Sequence, residues 1–296
     1  SFQISNSTFE NYENYIGKQE QITGFGKVDL TYDISKTKTF VFSSKYNYGS
    51  KKNRNELNFN SDFIDQKLAN KNQLLDQKIV LTNKFKENSV LLFTLRYINE
   101  KTPQIYTTNK FIYQDIFNTS GNNIEQTSSN KTDFIGFETH LINRNQNENI
   151  FEIQIGNQFR KDNLLSIFKI KNDETIVSIP SNYKNTLNYV SNDLYLKLKY
   201  SIKFKKIRLD TETTFHQYIN TLNDTLKQNP FFANPKIGIS WEINQKNRIS
   251  TSFSLNKTNT KVLNIYNNYI NTGFRSFLKG TGSLNLLNAS LATLNH

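Results

Sequence analysis

The sequence predicts an all-β fold, an antiparallel transmembrane β-barrel, on three observations. Short polar turns recur at Ser35 to Lys38, Lys86 to Ser89, Asn143 to Asn149, Lys205-Lys206 and Asn244 to Asn247, each between two runs of alternating residues. Longer and more polar stretches separate one such hairpin from the next. The alternation persists for about 9 to 11 residues, the length a tilted strand needs to cross hydrocarbon, where strands of soluble proteins average about five or six. Tight turns on one side and long loops on the other are the pattern of a membrane barrel.

The elements follow in order. Residues 1–20 read as a loop, or the end of a preceding one, and residues 21–296 as barrel strands. In the first hairpin Ile22, Val28, Leu30, Tyr32 and Ile34 share a face with Gly24 and Gly26, and Phe40, Phe42, Tyr46 and Tyr48 repeat the phase after the turn. A period of two places such sets on one side of a sheet. Gly24-Phe25-Gly26 lacks the third glycine and following helix of a nucleotide loop, so bulge or close-packing glycines in a strand are expected. The second hairpin joins Leu75–Phe85 to Val90–Ile98, with strand-like extensions over 54–64 and 104–117.

The third hairpin joins Asp133–Ile142 to Ile150–Phe159, where Phe151, Ile153 and Ile155 alternate with Glu152, Gln154 and Gln158. The fourth is the most regular. Leu194, Leu196, Leu198, Tyr200, Ile202 and Phe204 alternate with a face carrying Lys197, Lys199 and Lys203, and the next strand, Ile207–Phe215, carries Asp210 and Glu212. Cross-strand charge pairs between them are expected. The fifth joins Ile237–Ile243 to Ile249–Leu255 and places Trp241, the sole tryptophan, near a strand end, where an aromatic girdle would lie. Leu284 to Leu294 reads as an eleventh strand.

Composition agrees with a wall that is apolar outside and wet inside. Hydrophobic residues make up 36% of the 296, aromatics 13%, and Asn, Lys and Gln fill the other strand face. No apolar run reaches the ~18 residues of a membrane helix. There is no cysteine, which excludes disulfides and thiol chemistry, and no secretory leader at Ser1-Phe2-Gln3. A chain without methionine, whose eleventh strand leaves a sheet edge open, is expected to be a section of a larger barrel. The net charge of +12 is spread over turns and strands. Headgroups or a polar lumen suit it better than nucleic acid, which is not expected as a partner.

No nucleophile elbow, phosphate loop or metal-binding spacing occurs, and His140, His216 and His296 lie far apart. No enzymatic activity, metal or cofactor is therefore expected. The candidate contacts to a ligand or partner are in the loop at 260–277: Tyr266, Tyr269, Phe274, Arg275 and Phe277, because exposed aromatic and arginine side chains commonly make such contacts. Packing of this loop onto its neighbours is the competing expectation.

The segment Asn271-Thr272-Gly273-Phe274-Arg275-Ser276-Phe277-Leu278-Lys279-Gly280-Thr281-Gly282-Ser283-Leu284-Asn285, with the Asn, Lys, Tyr and Phe bias and turns such as Asn244 to Asn247, resembles the barrel portion of TonB-dependent-receptor-like outer membrane proteins of the Bacteroidota. The resemblance implies a closed barrel of about 22 strands with short periplasmic turns, long extracellular loops and a plug. It implies a bacterial outer-membrane location, uptake of a ligand, and contact with outer-membrane lipid and lipopolysaccharide. Import would further require a TonB box and an inner-membrane energy-coupling protein. The plug, the coupling segment and the family's aromatic C-terminal strand are not found in these residues, as expected of a middle portion. The alternative expectation is a structural barrel in a multiprotein complex for secretion, assembly or surface attachment, partnered by a surface lipoprotein or other envelope proteins.

Overall fold

A computed structural model describes the chain except residues 1, 5, 6, 10–12, 60, 61, 146, 245 and 296, and describes only the backbone of 2–4, 7–9, 13 and 59. His296 and the turn residues Gln146 and Gln245 lie outside the described residues. Eleven strands form the main path: β1 Glu13–Ser35, β2 Lys38–Phe59, β3 Asp62–Lys86, β4 Ser89–Thr108, β5 Asn123–Arg144, β6 Ile150–Asn172, β7 Lys184–Phe204, β8 Ile207–Leu222, β9 Phe231–Glu242, β10 Arg248–Thr258 and β11 Leu287–Asn295. Each pairs antiparallel with its sequence neighbour, so the sheet is a continuous meander. Short strands at Thr175–Ser178 and Leu226–Gln228 add to β6 and β8.

Among the described residues β1 and β11 do not pair with each other, so this is an open sheet and not a closed ring. The main sheet begins at Glu13, and Phe2–Ile4 pairs with Ser7–Phe9 in a small separate hairpin before it, so the loop expected over residues 1–20 is replaced by strand over most of its described residues. Strand also ends at Thr108, short of the expected 104–117, and a turn of helix at Gln114–Phe117 follows. The pairing of β1 with β2 is regular through Gly24 and Gly26, its one shift lying at Asp33/Ser35. A Cβ on Gly24 would meet only Tyr48 Cβ at 3.9 Å, and one on Gly26 would meet nothing within 4 Å. The expected bulge or close packing there is therefore corrected: these glycines sit in open, straight strand.

The alternation seen in sequence covers only part of each strand. β1 to β6 are 20 to 25 residues long. In the half nearest the short turns, one face is a continuous apolar band. Leu30, Phe42, Ile79, Leu95 and Phe137 occupy a single register row across β1 to β5. The next row toward the turns includes Tyr32, Phe40, Leu81, Phe93 and, further round, Ile155, Leu196 and Phe215. None of these side chains is fully buried by protein: they range from half-buried to exposed, with Phe137 and Ile155 each 52% exposed. On β7 the band runs from Leu194 to Phe204. At about 3.3 Å per residue and a tilt near 40°, that is roughly 25 Å of height, the height of the lipid-facing band of a membrane barrel.

The opposite face carries the buried clusters and is the concave one. Phe274 lies in the turn of a small hairpin (Ile270–Gly273 with Ser276–Leu278) and Phe277 three positions on, in its second strand. Phe274 packs with Leu57 of β2 and Ile64 of β3, whereas Phe277 packs on the cluster of Tyr106, Phe111, Ile124, Phe168 and Ile170, on strands up to β6. A flat sheet would separate β2 from β6 by about 19 Å, so the sheet curls around the hairpin.

Candidate functional site

The concave face has two zones. Nearest the short turns it is a field of paired polar groups. Tyr195 on β7 donates its hydroxyl to Glu138 of β5 at 2.6 Å and accepts from Gln154 of β6 at 3.4 Å. Gly156 makes room for this, since a Cβ there would overlap the Tyr195 ring. Glu152 lies between His140 Nε2 at 3.1 Å and the Lys199 Nζ cation at 2.8 Å. Lys197 pairs with Glu212 at 2.9 Å, and His216 Nδ1 lies 3.0 Å from Asp193. The His216 ring stacks on Tyr218 at 5.6 Å and 18° and packs against Phe232 at 5.2 Å.

The charge pairs expected between β7 and β8 are thus only partly realised. Lys197 reaches β8, but Lys199 turns back to Glu152 of β6, and Lys203 turns to Glu148 in the preceding short turn. The lysines of β7 have neighbours on both sides, and the alternation in one hairpin cannot show the second one.

In the second zone the loop from Asn259 to Leu287 folds onto the concave face at its long-loop end. Val262, Ile265, Tyr266 and Leu284 join Leu164, Leu187, Tyr189 and Leu222 in one buried cluster. Polar ties fix the register of the loop. Asn259 Nδ2 donates to Tyr189 Oη at 2.9 Å and to Asn220 Oδ1 at 2.8 Å. Asn268 N donates to Asn185 Oδ1 at 3.0 Å, and Asn271 N donates to Gln126 Oε1 at 3.1 Å. A side chain at Gly280 would run into the backbone of Asn264 and Tyr266, so glycine permits the return pass of the loop.

The five aromatic and arginine candidates meet different fates. Tyr266 and Phe274 are buried, each in its own cluster. Phe277 packs among Phe168, Tyr183 and Tyr113. Tyr269 stacks on Tyr183 at 5.3 Å and carries Lys279 Nζ 5.4 Å above its ring. Arg275 stays exposed, its guanidinium 5.9 Å from the Phe274 ring centroid, and its carbonyl accepts from Tyr113 Oη at 3.3 Å. Tyr269 and Arg275 are the two of the set that present surface. Burial holds the Tyr266 phenol above its ordinary pKa, and burial and the neighbouring Tyr269 do the same for Tyr183. Trp241 lies on the apolar face in a row with Phe204, Ile207 and Ile249, at the short-turn margin of the band.

Sequence reasoning missed Glu138, Glu152, Asp193 and Gln126 as partners on the concave face. The available signal was their common phase, polar where the apolar band is apolar. Among the described residues no group of three His, Asp or Glu is placed to hold a metal ion.

No protein-family model matches the chain, and no curated protein matches it. Solved structures do. The ferric-catecholate import receptor Fiu from K12 E. coli superposes at a TM-score of 0.47 with 8% identity, over 81% of this chain and 50% of that one. The siderophore receptor PiuA from Acinetobacter baumannii gives 0.44, 11% identity, 83% and 49%. BauA, the ferric preacinetobactin receptor from Acinetobacter baumannii, gives 0.41, 10%, 85% and 47%. The chain spans about half the length of these receptors.

Proposed function

We propose that this chain forms part of the wall of a bacterial outer-membrane β-barrel that passes a ligand, with the short turns in the periplasm and the long loops outside. The observation that carries the reading is the two-faced meander. An apolar band about as tall as the hydrocarbon layer covers one face, and paired Glu, Lys, His and Gln side chains cover the other. Backbone polar groups in lipid must be paired internally, and a meander of long antiparallel strands does that for every strand but its two edges. The resemblance of residues 271–285 to TonB-dependent-receptor-like proteins supports uptake as the role, with no chemistry performed on the ligand. In this reading the folded loop narrows the mouth of the lumen, and Tyr269 and Arg275 are its ligand-facing side chains.

The test is made in the native host with the gene's full product. The protein is expected in the outer-membrane fraction, and its folded form is expected to migrate faster than its boiled form on electrophoresis. Deleting residues 261–285 is expected to raise leakage of small hydrophilic dyes across the outer membrane. Recovery of folded protein in the soluble fraction without detergent would overturn the membrane reading. Unchanged leakage in a correctly inserted deletion variant would overturn the role of the loop.

A further inference from the structure

At the root of the folded loop the concave face holds a cavity of about 170 Å³ in which opposite charges stand near each other without pairing. Its walls come from four neighbouring strands and the first residues of the loop: Phe134 of β5, Arg160 of β6, Ser191 and Asp193 of β7, Tyr218 of β8, and Lys261. The register sets the charges at two heights. Arg160 and Ser191 face each other in one row, and Asp193 and Tyr218 face each other in the next row toward the band. Rows on one face are two residues apart, about 6.6 Å along the strands.

The cation in the upper row is a half-used fork. Asp162, fully buried, takes Arg160 Nε at 2.6 Å and Nη2 at 3.0 Å. Among the described residues no partner takes the Nη1 amino group, which carries two further donors. Lys261, exposed on the loop, enters no ion pair among the described residues and adds a second positive charge. The anion in the lower row is Asp193, whose side chain is 8% exposed. It lies 3.0 Å from His216 Nδ1 and receives the Tyr218 hydroxyl, but no lysine or arginine among the described residues reaches it. A buried carboxylate is costly unless its charge is answered, and two such contacts leave lone pairs of the carboxylate unused. The wall between the two charges is held in place. Asn220 and Asn259 exchange amide hydrogen bonds at 2.9 and 2.8 Å, and Asn259 also donates to Ser191 Oγ at 3.1 Å.

We propose that this cavity binds a free α-amino acid with an apolar side chain, held as its zwitterion. The ligand carboxylate accepts from Arg160 Nη1 and Lys261 Nζ, its ammonium donates to Asp193, and its side chain lies along the Phe134 ring. The spacing of the rows suits this, because an N–Cα–C unit with a charge-assisted hydrogen bond of about 2.8 Å at each end spans a distance of that order. A simple anion would face Asp193 and a simple cation would face Arg160, so a ligand carrying both charges answers both ends. The volume equals that of roughly six waters, room for one amino acid and not for a chain of several. The proposal deepens the ligand-passing reading of the wall and rests on it, since the concave face is a lumen only in a barrel.

The experiment uses the full-length protein purified in detergent, checked for its heat-dependent mobility shift and titrated by calorimetry. The probes are L-leucine, L-phenylalanine, L-leucinamide, which lacks the carboxylate, and N-acetyl-L-leucine, which lacks the ammonium. Leucine or phenylalanine is expected to bind saturably, and about tenfold or more tightly than either derivative, the scale of one lost charge-assisted hydrogen bond. Arg160→Lys keeps a positive charge for Asp162 but loses the fork, and Lys261→Gln alters an exposed loop position; each should weaken amino-acid binding and narrow its advantage over the amide. Asp193→Asn keeps an acceptor for His216 and should narrow the advantage over the N-acetyl form instead. Lys36→Gln/Lys86→Gln, at the short turns, should leave binding unchanged. Absence of binding by both amino acids to the folded wild type would overturn the proposal, as would wild-type binding in all three cavity variants. N-acetyl-leucine or leucinamide binding as tightly as leucine would also overturn it, by making the cavity a plain anion or cation site. A wild type without the mobility shift sinks the barrel reading whatever the calorimetry shows, and the cavity is judged separately from the same titration.

Discussion

Gly156 and Tyr195 show how much a single position decides. The two face each other across β6 and β7, and the buried ring of Tyr195 fills the space that a side chain at 156 would need. The ring is held at its tip by Glu138. Gly156→Val is expected to displace the ring and destabilise the protein by about 1 to 3 kcal/mol, the usual cost of overpacking. Thermal unfolding in detergent, compared with Tyr195→Phe, measures it; an unchanged midpoint for Gly156→Val would contradict the packing described. Nothing in the sequence singles out Gly156, because its meaning lies in a residue thirty-nine positions away brought opposite by register. The polarity of Glu138, by contrast, was legible as a phase though not as a bond.

At the scale of elements, strands and loop behave differently. The apolar band, on the membrane reading proposed above, makes a sharp prediction along one strand. Leu198 is near the middle of the apolar stretch on β7, and Thr186 lies on the same face beyond it. Leu198→Arg is expected to destabilise by about 2 to 4 kcal/mol, as for arginine at the bilayer midplane, and Thr186→Arg by about 0 to 1 kcal/mol. Folding titrations into lipid vesicles with urea would report both, and equal costs would argue against a depth-dependent environment. Within this band the strands were readable, because a period of two appears only where one face is apolar and the other wet. Beyond it both faces are polar, as at Lys18 to Gln21 and Lys51 to Glu56, so the pattern vanishes while the ladder continues. That is why strands of 20 to 25 residues looked half as long.

The loop from Asn259 to Leu287 was readable only as aromatic and unusual. Its fold depends on Gln126, Asn185 and Leu222, contacts that no local pattern encodes. Its attachment has a pH dependence with a definite sign. Burial raises the Tyr266 phenol above its ordinary value of 10.0, so the neutral form is favoured in the folded loop. This contribution is fully present below the pKa of the unfolded chain, about 10, and is lost as pH rises through the higher folded value. Absorbance titration near 295 nm should show one fewer late-ionising tyrosine in Tyr266→Phe than in the wild type, Tyr183 among others remaining late. An identical titration curve for the variant would refute the assignment.

For the whole molecule, Trp241 supplies a depth gauge, since it is the only tryptophan in the chain. It is 48% exposed on the apolar face at the short-turn margin. In reconstituted vesicles its fluorescence is expected to be quenched more by lipids labelled near the headgroup than by lipids labelled at the chain end, the reverse of an Ile239→Trp/Trp241→Phe variant if that position sits deeper. A position in water, quenched instead by soluble iodide, would remove the girdle reading. The general architecture was legible because five tight turns all fall on one edge, a regularity that survives any uncertainty about single strands. Curvature was not, because it depends on what fills the concave side.

The count of strands on the main path is odd. Ten reversals return the polypeptide to its starting sense, so Glu13–Ser35 and Leu287–Asn295 point the same way. Joining these rims directly would create a parallel seam, and so would placing an identically oriented second copy beside the first. A seam that keeps the alternation of the wall needs an odd number of additional strands between the rims. The parity of the meander, counted over the described residues, thus constrains any antiparallel closure of this wall to an even total of strands.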